Sequence, residues 1–269
     1  MILDPNPPVF PDRWASSWGE DSYGLWQAFD IDGVRQVMRW IVPGQFDMGS
    51  PTSEQNRGDK KTQHRVRISH GFWLADTACT QALWQQVMEK NPSQFNDNWQ
   101  NPVEQVSWDD CQEFITTLNQ TLGGHLTLCM PTEAQWEYAC RAGTTSAFNT
   151  GANITTAQAN YNGNFPYADA PKGEYRRQTV AVDSFAPNSW GLYQMHGNVW
   201  EWCEDEYSKY LEGFLTDPVG SRPKPEEGHS RVLRGGSWDN FAHRLRSASR
   251  DRSPPDDRIR NIGLRLAGG

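Results

Sequence analysis

Five cysteines are the side chains with the greatest intrinsic reactivity in this sequence of 269 residues. They are Cys79, Cys111, Cys129, Cys140 and Cys203. An odd number of cysteines without a Cys-x-x-Cys pair favours neither a zinc site nor a closed set of disulfides. We therefore expect small buried thiols that pack like apolar side chains, and we rank this expectation above a catalytic role.

The C-terminal segment, residues 239–261, places a chemically mixed set of side chains between arginines. Aromatic and aliphatic side chains beside adaptable polar groups suit a recognition surface, because the first provide affinity and the second provide orientation. The alternative is an ordinary structural C-terminus. The predicted ligand-binding positions are Asp239, Asn240, Phe241, His243, Leu245, Ser249, Asp251, Ser253, Asp257 and Ile259.

The arginines of the C-terminal segment are predicted to form its frame. In an extended chain, successive side chains point to opposite sides, so one set can face the core while the other faces solvent. Arg244, Arg246 and Arg250 are expected to point inward and to pair with carboxylates, as Arg252 and Arg258 also could. The side chains expected to point outward are Phe241, His243, Leu245, Ser249 and Asp251.

Charge and hydropathy exclude several classes of function. The net charge of −8 would repel a phosphate backbone, so nucleic acid is not an expected partner. A mean hydropathy of −0.77 and the lack of an apolar run of about 18 residues argue against a membrane span. The first residues, MILDPNPPVF, lack the basic-then-apolar order of a signal peptide, so a cytoplasmic location is expected. The expected partner is a protein or another macromolecule.

Several regular elements can be predicted as supports for these positions. Alternating apolar and polar residues over 34–50 predict two short strands around Pro43-Gly44. Three helices are predicted to follow Thr80, Ser107 and Thr132, because each of these side chains can cap a helix N-terminus.

The two ends of the chain have weaker patterns. Residues 1–33 show little helical or strand period and are predicted to be an irregular N-terminal wrap whose aromatic side chains pack on the core. Length alone leaves open whether residues 34–269 form one domain or two, and residues 53–64 within them are predicted to be a loop. Beyond Arg141, Gly, Pro, Asn and Asp are frequent and helical period is nearly absent, which indicates either regular elements that the pattern does not reveal or a loop-rich fold.

Four segments in order make the chain resemble the sulfatase-modifying-factor family, which includes the formylglycine-generating enzymes. They are PGQFDMGS at 43–50, PTEAQWEYA at 131–139, GLYQMHGNVWEW at 191–202 and RGGSW at 234–238. The resemblance covers roughly residues 34–267 and implies that residues 34–269 form a single α+β domain with a C-type-lectin-like fold and little regular structure. Within it, Gly197, Gly235 and Gly236 would permit positive φ, and Trp200, Trp202 and Trp238 would provide buried surface.

The resemblance also implies that the enzyme chemistry is absent. Formylglycine-generating enzymes oxidise a substrate cysteine with copper, using two cysteines that follow the RGGS element. Those positions fall on Asn240 and Leu245, which cannot supply thiolate ligands to Cu(I), and no cysteine follows Cys203. No copper is therefore expected, and the His-x3-His-x-Glu iron motif of a second enzymatic branch is not present. The competing hypothesis is a metal-dependent oxidase or another enzyme of the family, with a metal held by His196 or His243.

Structural calcium is a further implication of the resemblance. One site would use Glu201 with the backbone around Gln194, Gly197 and Val199, and oxygen ligands of this kind are those that Ca²⁺ favours. A second site would use Asn160 and Tyr161, but Gly173 stands where an acidic ligand is expected. The alternative for Glu201 is a buried pair with an arginine and no metal.

Residues 239–261 also resemble the variable region of proteins that retroelements diversify at AAC or AAT codons, many of which share this fold. Such codons cannot become Lys, Glu, Gln, Met or Trp, and none of these occurs in the segment, although average composition predicts about five. The leading hypothesis is therefore a non-catalytic ligand-binding protein whose recognition surface is the C-terminal segment. A structural or signalling module is the third alternative.

Overall fold

The computed structural model describes residues 4–57, 62–124, 126–220 and 229–269, and its regular elements are short. The helices are α1 Gln81–Met88, α2 Trp108–Thr121 and α3 Glu133–Arg141. The strands are β1 Ser17–Asp21, β2 Gly24–Ile31, β3 Val34–Ile41, β4 Gly44–Met48, β5 His64–Ile68, β6 Phe72–Ala75, β7 Leu128–Cys129, β8 Trp200–Glu206, β9 Leu215–Thr216, β10 Arg231–Arg234, β11 Arg250–Ser253, β12 Ile262–Leu264 and β13 Ala267–Gly268.

The largest sheet has six strands in the order β1-β2-β3-β6-β13-β7. The prediction of an irregular segment over residues 1–33 is wrong for β1 and β2, which pair with each other and, through β2, with β3. The period-two signal of β2 is lost because its consecutive residues Gln27, Ala28 and Phe29 are all buried. The predicted packing of aromatics is present, since the Trp14 ring lies 6.1 Å from the Trp73 ring.

Two smaller sheets complete the fold. One has the order β11-β10-β8-β12, with β8 and β12 parallel, and the other has the order β4-β5-β9. Residues 142–199 contain no helix or strand, and this stretch is described throughout. The α+β, loop-rich class is confirmed, and so are the two strands predicted within residues 34–50. Of the loop predicted at residues 53–64, residues 58–61 lie outside the described residues.

All three predicted helices are present with the predicted caps. The hydroxyl of Thr80 accepts a hydrogen bond from the backbone N–H of Leu83 at the start of α1. Ser107 and Thr132 begin α2 and α3 with complete capping boxes, in which the side chain three residues later bonds back to the cap. Among the described residues, none of the helices combines the length and apolar character that a bilayer-spanning segment requires.

The glycines and tryptophans of the RGGSW and GNVWEW motifs have the predicted scaffold roles. Gly235 and Gly236 have φ angles of 99° and 75°, in the region that residues with a Cβ atom rarely adopt. Trp200, Trp202 and Trp238 are at most 4% exposed. Because the turn after β10 depends on this conformation, the motif determines where the C-terminal segment leaves the sheet.

Candidate recognition site

The C-terminal segment begins at the end of β10 and returns to the same sheet as β11. Between them the chain turns at Gly235-Gly236 and forms a 3₁₀ turn over Ala242–Leu245. In the antiparallel pair, Arg234 of β10 lies opposite Arg250 of β11. The loop that joins the strands is therefore fixed at both ends by buried arginines.

Three buried ion pairs attach the segment and its supporting strand to the rest of the molecule. The pairs are Arg234 with Glu137, Arg246 with Glu54, and Arg250 with Glu133. The Nε and Nη2 atoms of Arg250 lie 2.7 and 2.6 Å from the two carboxylate oxygens of Glu133, a bidentate geometry. The inward orientation predicted for Arg246 and Arg250 is confirmed, with exposures of 0% and 4%.

The inward orientation predicted for Arg244 is wrong. Its side chain is exposed and lies 3.3 Å from the carboxylate of Asp251 at the surface. Arg258 is also exposed and forms a bidentate pair with Asp110. The prediction assumed an extended chain, whereas the 3₁₀ turn at Ala242–Leu245 changes the direction of successive side chains.

Seven of the ten predicted ligand-binding positions are at least partly exposed. Phe241 and Ile259 are 42% and 40% exposed, which is unusual for side chains of this size. The seven positions, here called the exposed set, are Asp239, Asn240, Phe241, His243, Asp251, Asp257 and Ile259. They provide aromatic, aliphatic, acidic and amide groups on one segment.

The other three positions are buried and cannot contact a macromolecule in this conformation. Leu245 is 0% exposed and packs with Phe148, Tyr161 and Tyr167, because the 3₁₀ turn directs it inward. Ser249 is 0% exposed, and its carbonyl accepts a hydrogen bond from Arg234. Ser253 is 7% exposed, and its hydroxyl donates to Asp257. The prediction that Leu245 and Ser249 point outward is therefore wrong.

One aromatic residue outside the segment lies against it and was missed in the sequence. Phe165 is 47% exposed, and its ring stacks on that of Phe241 with centroids 3.9 Å apart. It lies in the polar sequence NYNGNFPYAD, where a single phenylalanine in an otherwise loop-like stretch could have indicated exposure. Nothing in the sequence alone connects this loop to residue 241.

His196 is not available as a metal ligand, contrary to the competing enzymatic hypothesis. Its Nδ1 atom lies 2.6 Å from the carbonyl oxygen of Leu245, and its Nε2 atom accepts a hydrogen bond from the Asn149 N–H. Burial lowers the pKa of His196 to about 4, so the ring is neutral and uses both nitrogens internally. Within the described residues, no group of three or more His, Cys, Asp or Glu side chains is arranged to hold a metal.

The positions that the family resemblance assigns to copper-binding cysteines have structural roles here. The Oδ1 atom of Asn240 accepts hydrogen bonds from the N–H and the hydroxyl of Ser237. All five cysteines are free. Four are buried as predicted, but Cys129 is exposed, and desolvation in the groove that it lines raises its pKa to about 11. A thiol with this pKa is not activated as a nucleophile.

The predicted calcium site around Glu201 has a suitable set of oxygen donors. Gln194 and Glu201, with Gly197 and Val199, line one small cavity, and the buried Oε1 atom of Gln194 has no hydrogen-bond partner. Glu201 bonds Arg265 through both oxygens, as the alternative of an ion pair predicts. Its Oε1 atom accepts only one of these bonds and keeps a lone pair, so it and the Gln194 oxygen are two available ligands for Ca²⁺, beside a guanidinium that already neutralises the carboxylate.

The second predicted calcium site fits less well. The buried Oδ1 atom of Asn160 has no hydrogen-bond partner, which suits a cation. The Tyr161 side chain is buried among apolar residues and its hydroxyl donates to a carbonyl, so only its backbone oxygen is available. Because Gly173 supplies no carboxylate, these residues lack the negative charge that a calcium site needs.

A groove of about 890 Å³ lies elsewhere, between residues of the N-terminal segment and the six-stranded sheet. It contains a serine, a histidine and an aspartate in contact. The Ser69 hydroxyl lies 2.7 Å from the Nδ1 atom of His70 and donates to Asp217. In a catalytic triad the carboxylate orients the imidazole, whereas here it accepts from the serine itself. The arrangement therefore does not activate Ser69 as a nucleophile.

Comparison with known proteins gives one curated relative and two solved structures of particular relevance. The formylglycine-generating enzyme of Thermomonospora curvata is 34% identical over 205 residues, covering 73% of this chain and 63% of that enzyme. The chain spans less than two thirds of the length of this and the next curated relatives. Treponema denticola variable protein 1 has a TM-score of 0.75 and 26% identity, with 90% of this chain and 98% of that chain covered.

A second solved structure supports the fold alone. PvdO from Pseudomonas aeruginosa has a TM-score of 0.73 and 23% identity, with 90% and 97% of the two chains covered. These similarities confirm the predicted fold class. A family model described as the sulfatase-modifying factor enzyme 1-like domain matches residues 32–268, which is most of the chain. The chain therefore belongs to the sulfatase-modifying factor enzyme 1-like domain family.

Proposed function

We propose that this chain is a non-catalytic binding protein, that the exposed set forms its recognition surface, and that a retroelement diversifies these positions. The observation that carries the proposal is the separation of roles within residues 239–261. The exposed set lies at 239–243 and 251–259, on either side of a buried stretch that contains Arg246 and Arg250, which pair with carboxylates from distant parts of the chain. Residues of the exposed set can therefore be replaced without breaking the buried ion pairs of Arg246 and Arg250.

This separation has an energetic basis. Substitutions of exposed residues away from special backbone features usually change stability by less than about 0.5 kcal/mol. Removing one partner of a buried ion pair costs about 3–5 kcal/mol, because it leaves an unpaired buried charge. A surface that must vary in sequence while the fold persists requires this combination of tolerant exposed positions and intolerant buried ones.

Two further observations support the proposal. The positions that would carry copper-binding thiolates hold Asn240 and Leu245, so the redox chemistry of the enzyme has no ligands at this place. A solved structure that is similar over 90% of this chain is named a variable protein. Diversification at AAC or AAT codons would also account for the residue types that are missing from 239–261.

The test is to sequence the gene, with its flanking DNA, from many independent isolates. We expect nucleotide variation to concentrate in the codons of the exposed set. We also expect a nearby near-copy of this region that has adenine at the varying bases. The codons for the buried Leu245, Ser249 and Ser253 are the matched control and should stay constant. Variation spread evenly along the gene, with no such copy nearby, would refute the diversification.

We also propose that the cavity lined by Gln194 and Glu201 holds a structural Ca²⁺. Support comes from the unpartnered Gln194 Oε1 atom and from the oxygen donors around it. The ion would connect the loop before β8 to the strand that pairs with β10. Its role would be to stabilise the scaffold beneath the recognition segment.

A further inference from the structure

Phe165 and Phe241 form an exposed aromatic pair, although they come from different parts of the chain. Their ring planes are inclined by 27° and their centroids are 3.9 Å apart, yet the two side chains remain 47% and 42% exposed. Stacked rings that still expose this much apolar surface are costly in water. Exposed aromatic side chains of this kind are typical of the centres of protein interfaces.

The backbone holds the two rings in fixed relation. The Asn162 N–H donates to the carbonyl of Asn240 at 3.0 Å, and the Ala242 N–H donates to the carbonyl of Phe165 at 3.1 Å. These two bonds lie on either side of Phe241 and join the Phe165 loop to the start of the C-terminal segment. Binding of a partner to the pair would therefore cost this protein little conformational entropy.

The Oδ1 atoms of the two residues that precede Phe241 are already engaged. The Oδ1 atom of Asp239 accepts bonds from the Ser237 hydroxyl and the Asn261 amide. The Oδ1 atom of Asn240 accepts two bonds from Ser237. These bonds fix the chain on the N-terminal side of Phe241, and the two rings offer apolar contact to a partner.

We propose that Phe165 is a constant anchor of the recognition surface, and that the pair receives an aliphatic or aromatic side chain from a protein partner. The inference rests on the proposed function and adds a residue outside the diversified segment. Phe165 provides affinity that is common to different ligands when residue 241 is aromatic, whereas the other positions of the exposed set select among them.

The test uses the full chain displayed on phage, with the exposed set randomised except for Phe241. The library is selected in parallel on lysozyme, as a model protein, and on dextran. Several lysozyme-binding clones are then purified and their Kd values are measured before and after Phe165→Ala. Phe214→Ala is the matched control, because Phe214 is 56% exposed and lies outside both segments. Phe165→Tyr keeps the ring and tests for rescue.

We expect Phe165→Ala to raise Kd by about tenfold in most clones, as for a central aromatic contact, with Phe165→Tyr and Phe214→Ala changing it less than about threefold. Thermal melting of each variant separates lost contact from lost folding. If Phe165→Ala unfolds the protein, the Kd is measured for Phe165→Leu instead. Leucine lacks the ring but keeps apolar volume, so this variant tests the ring contact in a folded protein. Unchanged affinity in folded Ala or Leu variants would overturn the inference.

The other outcomes are distinguishable from this one. Failure to select any binder would count against the proposed function itself, whatever the role of Phe165. Enrichment on dextran without enrichment on lysozyme would overturn the assignment of a protein side chain as the occupant. Binders whose affinity depends equally on Phe165 and Phe214 would show general loss of stability or surface hydrophobicity, and would also overturn the anchor role.

Discussion

The ion pair between Arg250 and Glu133 tests how the C-terminal segment is attached to the rest of the molecule. Arg250 is 4% exposed and Glu133 is 3% exposed, so both charges are out of water. The guanidinium also lies 4.3 and 4.2 Å from the ring centroids of Tyr207 and Tyr210. Replacing Arg250 by alanine leaves the Glu133 carboxylate with a hydrogen bond from Tyr210 and a more distant Arg234.

The expected cost of Arg250→Ala follows from these contacts. Breaking a buried pair by removing one partner costs about 3–5 kcal/mol. The loss of two cation–π contacts adds roughly 1 kcal/mol or more. We therefore expect the free energy of unfolding to fall by at least about 4 kcal/mol, which is a large part of the stability of an ordinary domain.

The chain contains a matched control for this experiment. Arg258 forms a bidentate pair with Asp110 in which both distances are 2.7 Å, but its side chain is 54% exposed. Water screens such a pair, so Arg258→Ala should cost no more than about 1 kcal/mol. Both variants are compared by urea unfolding followed by circular dichroism. Equal costs for Arg250→Ala and Arg258→Ala would refute the argument that burial sets the magnitude.

A double-mutant cycle tests whether the cost belongs to the pair. If the penalty of Arg250→Ala is an unpaired carboxylate, adding Glu133→Gln should recover part of it, because the neutral amide is cheaper to bury. Additive losses in the double variant would show that Arg250 acts by packing alone. The arginine would then stabilise the segment without the charge pairing proposed here.

Four shorter predictions concern other residues of the C-terminal segment and of the motifs that support it. Leu245→Ala should cost about 2–5 kcal/mol in urea unfolding because it opens a cavity, whereas Phe241→Ala should cost only about 1 kcal/mol, because the exposed ring loses little more than its stacking on Phe165. If Ca²⁺ binds at Glu201, excess chelator should lower the melting temperature, and an unchanged melting curve would contradict the site. With Asn240 in place of a thiolate, purified protein should form no formylglycine on a cysteine-bearing sulfatase peptide, as mass spectrometry would reveal. Because burial lowers the pKa of His196 from 6.5 to about 4, the unfolded chain binds the extra proton, and the wild type should lose stability between pH 6.5 and 4 relative to His196→Gln.

The helices could be predicted from the sequence because their signals are local. Thr80, Ser107 and Thr132 begin them by accepting hydrogen bonds from backbone groups three residues ahead, and such contacts need no tertiary structure. Strand β2 could not be predicted in this way, because its burial on both faces removes the alternation. The same limit applies to Phe165, whose partner at residue 241 lies on a loop that only the fold brings near.

Which side chains of the C-terminal segment face the core could be predicted only in part, because this also depends on the tertiary fold. Arg246 and Arg250 were correctly placed inward, because arginines in loop-rich folds commonly pair with carboxylates. Leu245 and Arg244 were placed in reversed orientations because an extended chain was assumed across a 3₁₀ turn. Local sequence does not reveal that turn, which follows from the positive φ angles of the preceding glycines and from the packing beneath it.

The packing around Leu245 explains how the fold accommodates a leucine at a position where the family resemblance implies a cysteine. A Cβ atom added to Gly236 would lie 2.8 Å from the Cδ1 atom of Leu245, and one added to Gly197 would lie 3.1 Å from Cδ2. The leucine therefore fills the space beside two motif glycines, where the family resemblance places a thiolate. Its carbonyl also fixes the neutral ring of His196. A position that would bind metal in the enzyme is here part of the hydrophobic core.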